Sequence, residues 1–228
     1  MITERFSQAL TVAIKAHDGQ LRTGTTIPYI SHPIGVASIA MEYGADEDQA
    51  IAALLHDVLE DAEPQLRPKF EEIIKTQFGS RVYAIVQGCT DGVPNASGEK
   101  QNWEDRKINY LKHLEAASED VILVSGSDKL HNARAILNDF NNLGLVVFNR
   151  FKAGLEGTVW YYQSLAEIFA KRNAPMASAL QSVVAQFPES KQKMCGTFLL
   201  RQGIESMSDS VKEEFFEDFK KKGLADNF

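Results

Sequence analysis

The 228-residue sequence predicts an all-α protein. Three observations carry that expectation. Apolar residues recur at helical spacing along most of the chain, no run of strand length alternates cleanly between apolar and polar residues, and Gly, Pro and Asp fall between the periodic stretches. Residues 3–16 place Phe6, Leu10, Ala13 and Ile14 on one stripe, giving the first helix. Residues 33–43 open with Pro33, which the first helical turn tolerates because the missing N–H has no partner there. Gly44-Ala45-Asp46 then supplies a turn, and Asp46 caps a helix running to about Glu60. Further helices are expected over residues 68–78, 80–89, 103–117, 120–140 and 143–171. VILV at residues 121–124 suits a strand or a buried helix by composition; it is assigned to a buried helix that leads into Asp128. Residues 91–98, DGVPNASG, are dense in turn formers and read equally as a substrate gate or a plain surface connection. Two amphipathic helices, residues 176–187 and 208–222, follow the punctuation at Pro175 and Pro188. The expected organisation is one domain over residues 1–172 and a helical C-terminal extension, residues 173–228, packed on it. The extension pads the core in the simplest reading, and contacts another copy in a homo-oligomer in the alternative.

Composition bounds the function. With 44% hydrophobic and 24% charged residues the chain can bury one sizeable core without a staple. Cys89 and Cys195 are far apart and outside any CxxC spacing, so neither a disulfide framework nor a zinc knuckle is expected, and a reducing, cytoplasmic setting is. The N-terminal stretch carries charges and lacks a signal-peptide pattern, and no run is long and apolar enough to span a membrane. A net charge of −7 disfavours a nucleic-acid surface, which rewards clustered Lys and Arg. A nucleotide would need local cations, for which Arg22, Arg106, Lys107, Lys129 and Arg134 are the candidates.

The chemistry concentrates in AALLHDVLEDA, residues 52–62. His56 and Asp57 stand inside an apolar helical run, where an ionised carboxylate is costly unless a cation or partner compensates it. His32, in PYISHP, and Asp128, in SDKLHNAR, complete a candidate set of imidazole and carboxylate ligands for a first-row divalent ion. On an unbroken helix Glu60 and Asp61 would follow His56 and Asp57 by four residues each, on roughly the same face and about 6 Å further along. That pattern reads as metal-assisted hydrolysis, with a carboxylate managing the proton of the attacking water.

The motifs AHDGQLRTG (residues 16–24), PYISHPIGVASI (28–39), AALLHDVLEDA, FGSRVYAIVQGCTDG (78–92) and VILVSGSDKLHNAR (121–134) occur in an order that resembles the hydrolase domain of RelA/SpoT-type enzymes. That domain belongs to the HD-domain metal phosphohydrolases, and the layout is similar to stand-alone small alarmone hydrolases. The resemblance implies an HD-type helical bundle over residues 1–172. It implies His32, His56, Asp57 and Asp128 as ligands of one Mn²⁺, Glu60 and Asp61 as the catalytic acids, Arg22 packing on the nucleotide base and Asn132 contacting the nucleoside. It further implies removal of the 3′-pyrophosphate of guanosine tetra- or pentaphosphate (ppGpp, pppGpp) to give GDP or GTP, a reaction of the stringent response. Some small members take adenosine alarmones or NADPH instead. Many relatives carry lysine after the arginine, whereas this chain has Thr23, so the choice of nucleotide stays open.

Each residue also has a plainer reading. His17, His113 and His131 read as surface or hydrogen-bonded core histidines, Trp103 as a packing residue rather than a stacking platform, Lys129 and Arg134 as ordinary cations, and Arg22 as a loop anchor. A non-catalytic nucleotide sensor is the alternative from another class; retention of all four ligands and both acids argues against it. About 55 residues beyond the motifs leave no room for a nucleotide-synthesising domain.

Overall fold

A computed structural model describes residues 2–92 and 102–189. Helices make up the architecture: α1 Glu4–Ala16, α2 Ser31–Glu42, α3 Glu47–Leu55, α4 Val58–Asp61, α5 Arg67–Ile73, α6 Ser80–Cys89, α7 Trp103–Ala116, α8 Glu119–Leu143, α9 Gly154–Lys171 and α10 Ala177–Val184. Among the described residues the only β pairing is an isolated bridge between Leu21 and Pro28. The expected loop beyond Gly92 and the helix expected over residues 208–222 lie outside the described residues, as does Cys195.

The bundle is centred on α8, against which α2, α3, α6, α9 and α10 pack. Its sequence explains that position: Val121 to Leu130 is buried on every side, so these nearly three turns of helix have no solvent face. VILV is therefore interior helix. α3 is equally enclosed, Ala50 to Leu55 being buried without interruption. Asp46 caps α3 through its side chain, accepting from the Gln49 N–H, while the Gln49 side chain returns a bond to the Asp46 N–H. Arg81, at the start of α6, joins that cap to α8 by reaching both Asp46 and Asp120.

Three expected helices are interrupted. The one drawn from Asp46 to Glu60 ends at Leu55 and resumes as α4, with His56 and Asp57 at the break; Asp57 sits near φ −93°, ψ −9°, at the edge of helical space. Residues 68–78 divide into α5 and a π-helical turn, Ile74–Phe78. The stretch expected over 143–171 splits because Gly144, at φ 72°, ends α8, and a 3-10 segment, Gly144–Arg150, precedes α9. α10 packs against α8 and α9.

Candidate metal centre

Four side chains from three stretches of chain converge. α2 delivers His32, the α3–α4 break delivers His56 and Asp57, and the buried length of α8 delivers Asp128. His32 Nε2 lies 3.3 Å from Asp57 Oδ2 and 3.2 Å from Asp128 Oδ1. His56 Nε2 lies 3.0 Å and 3.7 Å from the same two oxygens. Ligand atoms of His32, His56 and Asp57 all fall within 4.8 Å of one another. Both imidazoles are buried, at 1% and 2% exposure, which excludes water as their main partner.

The tautomers fit a cation. His56 Nδ1 lies 2.8 Å from the Ala53 carbonyl, which can only accept, so Nδ1 carries a proton and Nε2 faces the carboxylates. His56 Nε2 is buried, and although the Asp57 and Asp128 oxygens stand close, none is aligned to complete a hydrogen bond with it. Two imidazole nitrogens directed at two carboxylates need either extra protons or a positive ion between them. In the metal-free protein protons answer: burial disfavours the imidazolium of His56, but Asp57 and Asp128 outweigh it and hold its pKa well above the usual histidine value. Burial likewise works against the Asp57 and Asp128 carboxylates. His56 and His32 overcome it for Asp57, and Lys129 with the two histidines for Asp128, so both pKa values fall well below the ordinary range. A nitrogen-and-oxygen donor set without thiolate suits a hard or borderline divalent ion.

Around this cluster stands a ring of hydrogen bonds. The Tyr29 hydroxyl donates to Asp57 Oδ2 at 2.6 Å, and Asn132 Nδ2 donates to Asp128 Oδ1 at 2.6 Å. His131 Nδ1 meets His32 Nδ1 at 2.9 Å. Burial, then neighbouring His32 and Arg22, push the His131 pKa down to about 4, so this ring is neutral and able to accept. Lys129 Nζ lies 2.6 Å from Asp128 Oδ2, which makes it a counter-charge to that carboxylate rather than an open phosphate contact.

Tyr29, His131 and Asn132 also line a cavity of about 500 Å³ together with Arg22, Thr23 and Tyr162. That volume suits a small-molecule ligand. Arg22 Nη2 donates to Asn132 Oδ1 at 2.6 Å, and the guanidinium lies 5.6 Å from the Tyr29 ring centroid. The Asn132 amide is thus held from both sides.

The two candidate catalytic acids bond to different partners. Glu60 accepts the Asp91 N–H at 3.1 Å, while Asp61 is exposed and accepts from Gln20 Nε2 at 3.0 Å. Because the helix breaks at His56-Asp57, the unbroken register expected from spacing does not hold, although Asp61 N–H still reaches the Asp57 carbonyl at 2.9 Å. Lys107 pairs with the Asp91 carboxylate and Arg106 with the Asp91 carbonyl. Arg106 lines a separate cavity of about 240 Å³ rather than the larger one. Arg134 is not brought to the site: it is exposed, two residues and about 200° around α8 from Asn132. Trp103 packs its ring against Trp160 and Tyr161 of α9.

Sequence reasoning passed over Tyr29, Gln20, Asp91 and the contact of His131 with His32. Tyr29 and His131 stand within a few residues of a candidate ligand, which was the available signal.

Comparison with known proteins adds an independent line. The HD domain family model matches residues 9–159. Proteins named guanosine-3′,5′-bis(diphosphate) 3′-pyrophosphohydrolase from Haemophilus influenzae and Aquifex aeolicus are each 38% identical to this chain, over 127 and 135 residues, or 55% and 58% of it. In both cases the match takes in 18% of the relative, so the chain spans under a fifth of the length of these curated relatives. A solved structure titled as a metazoan ortholog of SpoT that hydrolyzes ppGpp aligns with a TM-score of 0.52 at 25% identity, covering 75% of this chain and 97% of that one.

Proposed function

Because this chain belongs to the HD domain family, we propose that it is a divalent-metal phosphohydrolase that removes the 3′-pyrophosphate of ppGpp or pppGpp, leaving GDP or GTP. The observation that carries this reading is the buried convergence of His32, His56, Asp57 and Asp128 around His56 Nε2, which completes no hydrogen bond. Those four residues would hold the ion, and Mn²⁺ is the ion we expect. A divalent cation at such a site polarises a phosphoryl oxygen and makes water acidic enough to attack near neutral pH.

The chain's own residues do the rest. Glu60 and Asp61 take and return the proton of the attacking water, Glu60 held by the Asp91 backbone and Asp61 by Gln20. Arg22 packs on the base, and the 500 Å³ cavity takes the nucleoside. Arg106 and Lys107 offset phosphate charge on the Asp91 side. The reaction belongs to the stringent response in the cytoplasm; among the described residues no helix is long and apolar enough to cross a membrane.

Thr23 in the cavity wall favours a second reading, in which the nucleotide is NADPH or an adenosine alarmone. Incubating the Mn²⁺-loaded protein with each nucleotide and separating products by chromatography distinguishes the two. Pyrophosphate and GDP from ppGpp are the expected result. Turnover of NADPH with ppGpp left intact would replace the first reading with the second, and tight ppGpp binding without product under any divalent metal would make the protein a sensor.

A further inference from the structure

Gly35 lies on α2, three residues after His32, and so on the same side of the helix. A Cβ built at Gly35 would overlap the Nε2 and Cδ2 atoms of the His131 imidazole. The glycine therefore leaves the space that the Nε2–Cδ2 edge of the His131 ring occupies against α2. From that seat His131 Nδ1 meets His32 Nδ1 at 2.9 Å, and the two ring centroids are 4.8 Å apart. The same ring forms part of the wall of the 500 Å³ cavity.

We propose that His131, seated by Gly35, is the positioning residue for the candidate metal ligand His32: it accepts the His32 Nδ1 proton and so keeps the His32 Nε2 lone pair turned toward the metal centre. This rests on the metal-hydrolase reading above. Two imidazoles joined Nδ1 to Nδ1 must divide the roles of donor and acceptor. With His131 as acceptor, its own proton sits on Nε2 beside Gly35, and His32 is left with Nε2 unprotonated, the form a cation requires. A partner on the far nitrogen also fixes the ring's rotation and raises its basicity as a ligand. The second consequence is linkage: a ligand that moves His131 from the cavity side alters metal affinity, and metal in turn alters affinity for that ligand by the same factor.

The test is metal affinity rather than turnover. The full chain, stripped with a chelator, is titrated calorimetrically with MnCl₂ as wild type, His131→Phe, His131→Asn and Gly35→Ala, with circular dichroism melts run on each. His131→Phe keeps the ring's bulk and loses the acceptor, and should weaken Mn²⁺ binding by about 10- to 100-fold, the usual effect of losing an outer partner of a ligand. His131→Asn carries an acceptor oxygen near the Nδ1 position and should recover part of that loss. Gly35→Ala should also weaken Mn²⁺ binding, because its Cβ must displace the His131 ring from its seat. Wild-type affinity in His131→Phe, or equal losses in the Phe and Asn variants, overturns the proposal while leaving the metal centre standing. A wild-type chain that takes up no Mn²⁺ removes both.

Discussion

The buried charges at the centre are poised against one another residue by residue. Asp128 is the partner of Lys129, whose ammonium burial disfavours but which Asp128, with Tyr161 and Tyr110 nearby, holds well above its ordinary pKa. Replacing Asp128 with alanine should therefore remove a proposed metal ligand and also strand a buried cation. The expected cost is about 3–5 kcal/mol in urea unfolding of the metal-free protein, together with loss of bound metal and activity. A stability loss below 1 kcal/mol would mean that Lys129 reaches solvent. Glu60→Gln separates chemistry from structure, because an amide oxygen still accepts the Asp91 N–H. Metal content by mass spectrometry should stay at the wild-type level while kcat falls by about 10²- to 10⁴-fold, the usual contribution of a general acid or base. The types and sequence neighbourhoods of these residues were readable beforehand. Their partners were not, since a hydrogen bond such as Tyr29 to Asp57 joins positions 28 residues apart.

Between elements, the α3 N-terminus is tied to α6 and α8 by Arg81, which bonds Asp120 through two nitrogens and Asp46 through a third. The hydrogen bond from Arg81 holds the Asp120 carboxyl below its ordinary pKa, against partial burial. A depressed carboxylate stabilises the fold above its unfolded pKa, and that contribution disappears as pH falls through the folded value. Arg81→Ala should thus cost about 1 kcal/mol or less at pH 7, given how exposed the pair is, and progressively less at an acid pH below the ordinary carboxylate range. Melting curves of the two proteins at both pH values check the sign; a difference that grows in acid would contradict it. Most helices were legible from periodicity because an apolar stripe must find a core. The break at His56-Asp57 was not, because a run of AALLHDVLED favours uninterrupted helix locally and only the demands of the assembled site set it aside.

Across the whole molecule, the candidate metal centre, assembled from α2, the α3–α4 break and α8, exists only when the bundle is folded. Binding energy at the site is then folding energy. At a Mn²⁺ concentration 100 times the Kd, the metal should stabilise the protein by about 2.7 kcal/mol, which for a chain of this size raises the Tm by roughly 5–10 °C. Chelation should reverse the shift, and a Tm indifferent to both Mn²⁺ and chelator would argue against a site built from these three segments. The net charge of −7 adds to this dependence, because the proposed nucleotide would approach an acidic surface and need concentrated local positive charge.

Sequence alone determined that the chain is helical and where most helices lie, and it singled out the histidines and aspartates that the fold brings together, because periodicity and residue type are local properties. It also kept Arg22 and Asn132 among the candidates around the cavity. Tertiary structure decided that Arg134 faces away, that Lys129 serves Asp128, and that Glu60 and Asp61 are held by different partners. It also placed His131 against His32 across the space left by Gly35. Those outcomes depend on which helix faces cross α8 and how closely, and packing geometry between distant segments is written in no single stretch of sequence.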